Sequence, residues 1–307
     1  MTAPTRYAFI GLGNLGGKLA GSLLRAGLKL IVHDRDACAA APLLDAGATW
    51  AADAAAAARA ADAVFTCLPS PAISEAVLTG ERGILDGLHR GGTWIETSTI
   101  DGATLCRLAE AAAARGVRTL EAPVTGGVHK AAEGAVTVLA GGDVDLLEQH
   151  RPALAAIGRA ILHMGPLGSA AVMKVITNML AFIHLVAAGE ALMLARRGGL
   201  DLAQAFHAIK ASSGNSFVHE TESQLILNGS YDIHFTMDLA CKDLGLAMAF
   251  GREFGVPLDL AALTTQTFVR ARAAFGGDAQ STMVVKLLED ALRTDLRAPG
   301  FPAQLEH

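Results

Sequence analysis

The sequence is poor in aromatic side chains, only 5% of 307 residues, so its core must be built from alanine, leucine, valine and isoleucine. Its four cysteines, Cys38, Cys67, Cys106 and Cys241, stand far apart and form no CxxC pair. That spacing excludes a paired-thiol redox or zinc motif and leaves buried or half-buried free thiols in a reducing cytoplasm as the expectation. The ten histidines include no HExxH and no paired ligand spacing, so no metal site is expected. Neither sign of charge dominates: the formal net charge is -5, with 18% charged residues. That excludes the basic field of a nucleic-acid binder and points to a small-molecule partner. The N-terminus carries no secretory pattern, since Pro4 and Arg6 are followed at once by a short apolar run ending in glycine. The most apolar stretch, Val175 to Gly189, is bracketed by Lys174 and Glu190 and interrupted by Thr177, Asn178 and His184. It reads as too short and too polar to span a membrane, and a soluble cytoplasmic protein is expected.

Hydrophobic residues are abundant, at 51%, and the length is comfortable for two domains. The N-terminal half alternates short strand-like runs with Ala-rich helical stretches. Strands are expected at Tyr7–Ile10, Leu28–His33, near Thr49, and at Ala63–Leu68, Thr93–Thr97, Val117–Glu121 and Val136–Ala140. Helices are expected at Leu15–Ala26, Ala37–Asp45, Asp53–Ala61 and Gly102–Arg115. This alternation predicts a doubly wound parallel sheet. The alanine runs Ala54–Ala58 and Ala111–Ala114 read as exposed helix. After Gly165-Pro166 the pattern becomes helical throughout. One long helix runs from about Ser169 to Arg197 and stops at Gly198-Gly199; further helices are expected at Leu202–Lys210, Val218–Leu227, Lys242–Phe254, Leu258–Ala274 and Thr282–Arg293. The fold class is therefore α/β, a doubly wound sheet domain over residues 1–165 followed by an all-α domain over 166–307. The tail Ala298–His307 reads as loose or ordered on contact.

The dinucleotide reading rests on Gly11-Leu12-Gly13-Asn14-Leu15-Gly16, a GxGxxG loop that follows a strand and opens a helix. Gly11 allows the tight turn, Gly13 lets the backbone approach a pyrophosphate, and Gly16 lets the helix pack against the strand; the helix N-terminus then faces the anion. Asp34 ends the next strand, where an acid accepts hydrogen bonds from the ribose hydroxyls and repels a 2′-phosphate. It points to NAD over NADP, although the adjacent Arg35 is able to pair with a phosphate. Further cofactor contacts are expected at strand ends, at Leu68-Pro69-Ser70 and Thr97-Ser98-Thr99. A lysine at 174 and an asparagine at 178 share one helix face a turn apart. In an apolar setting such a lysine either snorkels or is held in a pocket. Gly126 and Gly127 present backbone N–H groups suited to a carboxylate, or make a tight turn after Pro123.

Glu121-Ala122-Pro123-Val124-Thr125-Gly126-Gly127, Lys174-Val175-Ile176-Thr177-Asn178 and Lys242-Asp243-Leu244 resemble the later signatures of the β-hydroxyacid dehydrogenases, the group of 3-hydroxyisobutyrate dehydrogenase and tartronate semialdehyde reductase. With the glycine loop, Leu68-Pro69 and the turn Ser98-Thr99-Ile100-Asp101, the resemblance covers nearly the whole chain in order. It implies a Rossmann domain, a long connecting helix and a helical domain that forms homodimers or homotetramers. It implies that Lys174 is the catalytic lysine, Asn178 positions substrate, Thr125-Gly126-Gly127 bind the substrate carboxylate, and Thr99 and Lys242 contact the cofactor. The implied reaction passes a hydride from a 3-hydroxy carboxylate to NAD while Lys174, its pKa lowered by an apolar wall and nearby cofactor charge, takes the hydroxyl proton. Thr125, Thr177, His129 and Lys130 depart from many relatives and bear on the distal end of the substrate. The polar run Ser212–Ser216, with Asn215 and Ser216, either reaches substrate or forms a helix-helix turn. Imine reduction on the same fold is the alternative activity, against which Lys174 speaks; a non-catalytic dinucleotide-binding scaffold is the other.

Overall fold

The structure, a computed structural model, describes residues 5–305; Pro4 and the last two residues of the expected loose tail lie outside them. The chain divides into two compact units between Lys174 and Val175, inside the long helix Ser169–Arg197.

The N-terminal unit is built on nine strands: β1 (Tyr7–Ile10), β2 (Leu30–His33), β3 (Thr49–Trp50), β4 (Ala63–Thr66), β5 (Thr93–Glu96), β6 (Arg118–Glu121), β7 (Val124–Thr125), β8 (Val136–Gly141) and β9 (Gly158–Gly165). Strands β3-β2-β1-β4-β5-β6 run parallel in that order. Their near-continuous apolar runs suit strands covered on both faces; β1, β4 and β5 are buried at every position. Tyr7, Phe9 and Phe65 pack with Leu19 and Leu23 on one face, Ala8, Ile10, Val64 and Trp94 with Leu105 and Leu108 on the other. Beyond β6 the expected parallel pattern fails. β8 runs antiparallel to β6 and β7, which lie end to end along it in one register, and β9 runs parallel on its other side. The sheet is therefore mixed, and it does not close at Val136–Ala140 as the sequence suggested.

Several differences have a local cause. Pro69-Ser70-Pro71 does more than break β4: Ser70 caps the helix Pro71–Thr79 through Ile73 N–H, with Pro71 at its first position, where no amide partner is lost. The runs read as exposed alanine helix are largely not so. Ala54, Ala55, Ala57 and Ala58 are buried, because a helix with no bulk on its face can lie close to the sheet; in the second run Ala112 is buried while Ala113 and Ala114 are exposed. Of the four free thiols, Cys38 is exposed where a covered position was expected, and the other three are half-buried.

At the amino ends of the strands His150, 1% exposed, sits between Tyr7 Oη (3.1 Å from Nδ1) and Thr93 Oγ1 (3.0 Å from Nε2). Burial, with a smaller push from Arg118, lowers its pKa from 6.5 to about 4. An unfolded histidine binds a proton as pH falls through 6.5, while the folded one stays neutral down to about 4. Stability is therefore fully present above that window and falls roughly tenfold in the folding constant per pH unit across it. His150→Gln should flatten this part of the stability profile in urea titrations between pH 7 and 4; an unchanged slope would show that the histidine is not its source.

The second unit is helical: Leu202–Lys210, Phe217–Asn228, Met237–Phe254, Asp259–Phe275 and Lys286–Leu292 pack around the rest of the long helix. Among the described residues its β pairing is limited to a Thr236–Gln280 bridge. By length and mean hydropathy, 1.8 over its most apolar window, the long helix would reach across a bilayer, contrary to the expectation from its middle section. Phe182, Leu185, Leu192 and Met193 instead fill the core of this unit beside Phe206, Leu244 and Phe268. The tail is ordered by contact: the Phe301 ring meets Phe206 edge-on at 4.9 Å and its carbonyl accepts from Asn228.

Candidate active site

The order of the parallel strands reverses between β1 and β4, and a crevice forms at the carboxyl ends of strands at such a switch point. The glycine loop lies there. Gly11 has φ +95°, and a Cβ on it would lie 2.3 Å from the Cys67 carbonyl oxygen at the end of β4. A Cβ on Gly16 would meet the Gly11 carbonyl at 2.0 Å, so the following helix, Gly16–Arg25, approaches as closely as it does only because Gly16 has none. Gly13 is different: nothing lies within 4 Å of its Cβ position. Gly11 and Gly16 serve the turn and the packing, while Gly13 leaves the backbone open toward the crevice. That division fits a dinucleotide whose pyrophosphate approaches the main chain. Leu12 is buried, Leu15 half-buried and Asn14 exposed at the turn.

Asp34 ties this loop to the end of β2. Its Oδ2 accepts from Leu12 N–H (2.6 Å) and its Oδ1 from Asp36 N–H (2.9 Å). Each carboxylate oxygen keeps a further lone pair, so both are able to accept from a diol as well. Arg35 is exposed beside it.

The strand-end turns are cross-linked. Ser98 Oγ accepts from Leu68 N–H (2.7 Å), and Ser98 N–H donates to Glu96 Oε1 (2.8 Å). Ser98 is thus buried and engaged within the protein, holding the two turns together, while Leu68 and Thr99 are half-buried and Pro69 is exposed. Burial pushes the Glu96 carboxyl up, opposed by the hydrogen bond from Ser98 N–H. Burial likewise pushes the Cys67 thiol up to about 12; a Thr97 hydrogen bond lowers it, Glu96 raises it, and the Lys174 ammonium lowers it again. Lys174 is therefore within electrostatic reach of the strand ends.

Lys174 is 9% exposed. The helix that carries it is held by a residue the sequence named only within a motif. Glu121, at the end of β6, accepts Ala170 N–H on Oε1 and Ala171 N–H on Oε2, both at 3.0 Å. Burial pushes this carboxyl up, and backbone hydrogen bonds from Ala170, Ala171 and Gly168 pull it back. On the same side of the sheet β7 delivers Thr125, half-buried, into Gly126 (φ +125°) and Gly127 (φ +83°), which start a short helix, Gly127–Ala132. The tight turn is real, and the helix was not foreseen. Lys130 pairs with Glu133 at 2.9 Å, and His129 lies against Gly127, its ring 3.1 Å from that residue's Cβ position.

In the helical unit Asn178 Nδ2 donates to Asp243 Oδ2 (2.6 Å), and Lys242 Nζ lies 2.8 Å from Asp243 Oδ1. Asp243, 1% exposed, thus orients both residues that the sequence singled out here. The sequence names Asp243 only within a motif, and its bond to Asn178 has no local signal because the partner is 65 positions away. Thr177 is half-buried on the long helix. The run Ser212–Ser216 is a helix-helix turn: Ser216 caps Phe217–Asn228 through His219 N–H, and Asn215 donates to Glu220. Among the described residues no cluster of three or more side chains fit to hold a metal occurs.

Known proteins place this arrangement. Residues 6–165 match the family described as the NAD binding domain of 6-phosphogluconate dehydrogenase, and residues 168–288 the family described as the NAD-binding domain of NADP-dependent 3-hydroxyisobutyrate dehydrogenase. The chain is 32% identical over 290 residues to 2-(hydroxymethyl)glutarate dehydrogenase of Eubacterium barkeri, covering 94% of this chain and 96% of that one. It is 35% identical over 271 residues to 3-hydroxyisobutyrate dehydrogenase of Pseudomonas aeruginosa, covering 86% and 91%. A crystal structure of 3-hydroxyisobutyrate dehydrogenase from Salmonella typhimurium superposes with a TM-score of 0.86 at 32% identity over 92% of this chain and all of that one. Identity of this extent, across both units, carries more than a shared fold: the chain belongs to the β-hydroxyacid dehydrogenases, NAD(P)-dependent oxidoreductases acting on small hydroxy acids.

Proposed function

We propose that the protein oxidises a β-hydroxy carboxylate, of the kind represented by 3-hydroxyisobutyrate, glycerate, threonate or serine, with NAD as the preferred acceptor, and that Lys174 carries the proton. The observation that carries this reading is a largely buried lysine at a helix start, held against the carboxyl ends of the strands that also bear the glycine loop. A burial of this depth argues against simple snorkelling.

In this reading the backbone of Gly11–Gly16 and the carboxylate of Asp34 hold the dinucleotide, with Leu68, Pro69 and Thr99 at the neighbouring strand ends and Lys242 from the helical unit. Ser98 acts behind them, by fixing the Leu68 turn. NAD, when bound, supplies the hydride acceptor. Thr125, Gly126 and Gly127 bind the substrate carboxylate with a hydroxyl and backbone N–H groups; Asn178, oriented by Asp243, hydrogen-bonds the substrate. Neutral Lys174 accepts the hydroxyl proton as the carbinol C–H bond breaks and its electron pair leaves with the hydride. In the reverse direction the ammonium polarises the carbonyl and returns the proton. Imine reduction is disfavoured by the buried lysine at 174.

Preference for NAD rests on Asp34. A 2′-phosphate about 4 Å from its carboxylate would cost roughly 1–4 kcal/mol, which is about 5- to 1000-fold in affinity. Arg35 is the residue able to offset this. The exposed leucines Leu194, Leu260 and Leu263 support a homodimer or homotetramer built on the helical unit, and the absence of paired cysteines supports a cytoplasmic setting.

A panel of 3-hydroxy acids, assayed with NAD and with NADP by the ultraviolet absorbance of the reduced nicotinamide, tests the reading. At least one acid should be oxidised, with kcat/KM higher for NAD by a factor within the range above. Reduction of cyclic imines without oxidation of any hydroxy acid would overturn the substrate class, and a preference for NADP would overturn the role of Asp34.

A further inference from the structure

The long helix does not cap itself. Ser169, its first residue, turns its hydroxyl to the Pro166 carbonyl (2.6 Å) and away from the open N–H groups of the first turn. Those of Ala170 and Ala171 go instead to Glu121, one to each carboxylate oxygen, at 3.0 Å, across 49 and 50 positions of sequence. The sheet makes room for this reach. Gly141 stands opposite Glu121 in the antiparallel register of β6 and β8, and a Cβ on Gly141 would lie 2.0 Å from Glu121 Oε1. Glu121 itself is 1% exposed. A buried carboxylate that spends both oxygens on two successive amides fixes the rotation of the helix about its axis as well as its height above the sheet. One amide alone would fix only the height. Lys174 follows on the next turn, so its side chain direction is set by this clamp.

We propose that Glu121 is the positioning residue for Lys174, a two-point clamp from the end of β6 that aims the ammonium at the strand-end crevice. The proposal rests on the reading of Lys174 as the proton carrier. Glutamine at 121 keeps the size and loses one acceptor, because an amide NH2 then faces a backbone N–H. Aspartate keeps the charge and is too short by one methylene to reach both amides. In Gly141→Ala the Glu121 charge stays while the added methyl pushes the carboxylate aside.

The experiment compares kcat, KM, the pH profile of kcat, NAD affinity and urea stability across Glu121→Gln, Glu121→Asp, Gly141→Ala and Lys174→Ala. His150→Gln serves as a control that weakens the same unit from the opposite ends of the strands. Misplacement by about 1 Å is worth roughly 10²-fold in rate. The clamp predicts a fall of that order in kcat per folded molecule for Glu121→Gln and Gly141→Ala, a displaced pH limb, NAD affinity within about twofold of the parent, and partial rescue in Glu121→Asp. His150→Gln should lose stability with kcat per folded molecule and pH limb unchanged. If the Glu121 and Gly141 variants behave like the His150 variant, the clamp is merely structural and the proposal is overturned, whether or not Lys174→Ala is inactive. If Lys174→Ala retains turnover, the reading of the lysine fails first. Should Glu121→Gln not fold, Gly141→Ala and Glu121→Asp decide alone.

Discussion

Replacing Lys174 with alanine is expected to lower turnover by about 10²–10⁴-fold while NAD binding stays near the parental value. The magnitude is what general acid–base help contributes when a positioned group takes the proton in the transition state. Two features of the molecule make it a sharp expectation. Lys174 is 9% exposed on a helix whose first turn is clamped by Glu121, so no flexible neighbour on that turn replaces it. In the proposed reading the cofactor is held by the glycine loop, which Asp34 ties to the end of β2, so the cofactor half should survive the loss of the lysine. Both kcat and kcat/KM should fall together, the pattern of an interaction made only in the transition state. Turnover within about tenfold of the parent would remove the lysine from the chemistry.

The second large effect separates the glycines of the loop. A methyl at position 16 would stand 2.0 Å from the Gly11 carbonyl oxygen, backbone against backbone, with no flexible side chain to yield. Gly16→Ala should therefore push the helix Gly16–Arg25 off β1, at a cost of about 1–3 kcal/mol in stability, and lose cofactor affinity as a consequence. A Cβ at position 13 meets nothing within 4 Å. Gly13→Val should fold with nearly parental stability and still lose about tenfold or more in NAD affinity, equal to roughly 1.4 kcal/mol, because its bulk fills the approach to the backbone. Paired urea and NAD titrations distinguish the two. Equal loss of stability in both variants, or full NAD affinity in Gly13→Val, would show that the open face at Gly13 is not where the pyrophosphate lies.

How far these features could be read without coordinates differs by kind. The long helix Ser169–Arg197 was legible to its ends because a helical pattern with no breaker but Gly189 stops at Gly198-Gly199, a signal carried by neighbouring residues. The strands β1, β4 and β5 were legible for the same reason. The helix Val144–Ile157 and the strand β9 were not. Pro152 lies inside that helix, and β9 is irregularly buried, without the alternation or the apolar run that marks a strand. The reversal of β8 was not legible either, because direction depends on which neighbour a strand finds, and β8 finds both β6 and β7 along one edge. The burial of Ala54, Ala55, Ala57 and Ala58 was not legible because helix propensity says nothing of which surface a helix faces.

The candidate site divides in the same way. Order and spacing make Gly11, Gly13, Gly16 and Asp34 candidates; helical phase puts Lys174 and Asn178 on one face, and only the family resemblance gives them roles. The carboxylates Glu121 and Asp243 stand inside the motifs, but the hydrogen bonds they make, to Ala170 and to Asn178, span long separations in sequence and have no local signal. Ser98 was placed among the cofactor contacts because a hydroxyl at a strand end suits that role; its hydroxyl turns out to hold the Leu68 amide.

The central claim is that hydride leaves the carbinol carbon of a hydroxy acid for a nicotinamide. A 3-hydroxy acid that the enzyme oxidises, deuterated at its carbinol carbon, tests it most directly when the reduced cofactor is analysed by mass spectrometry. One deuterium per molecule of reduced nicotinamide is the predicted result; reduced nicotinamide without label, or label lost to solvent, would contradict it.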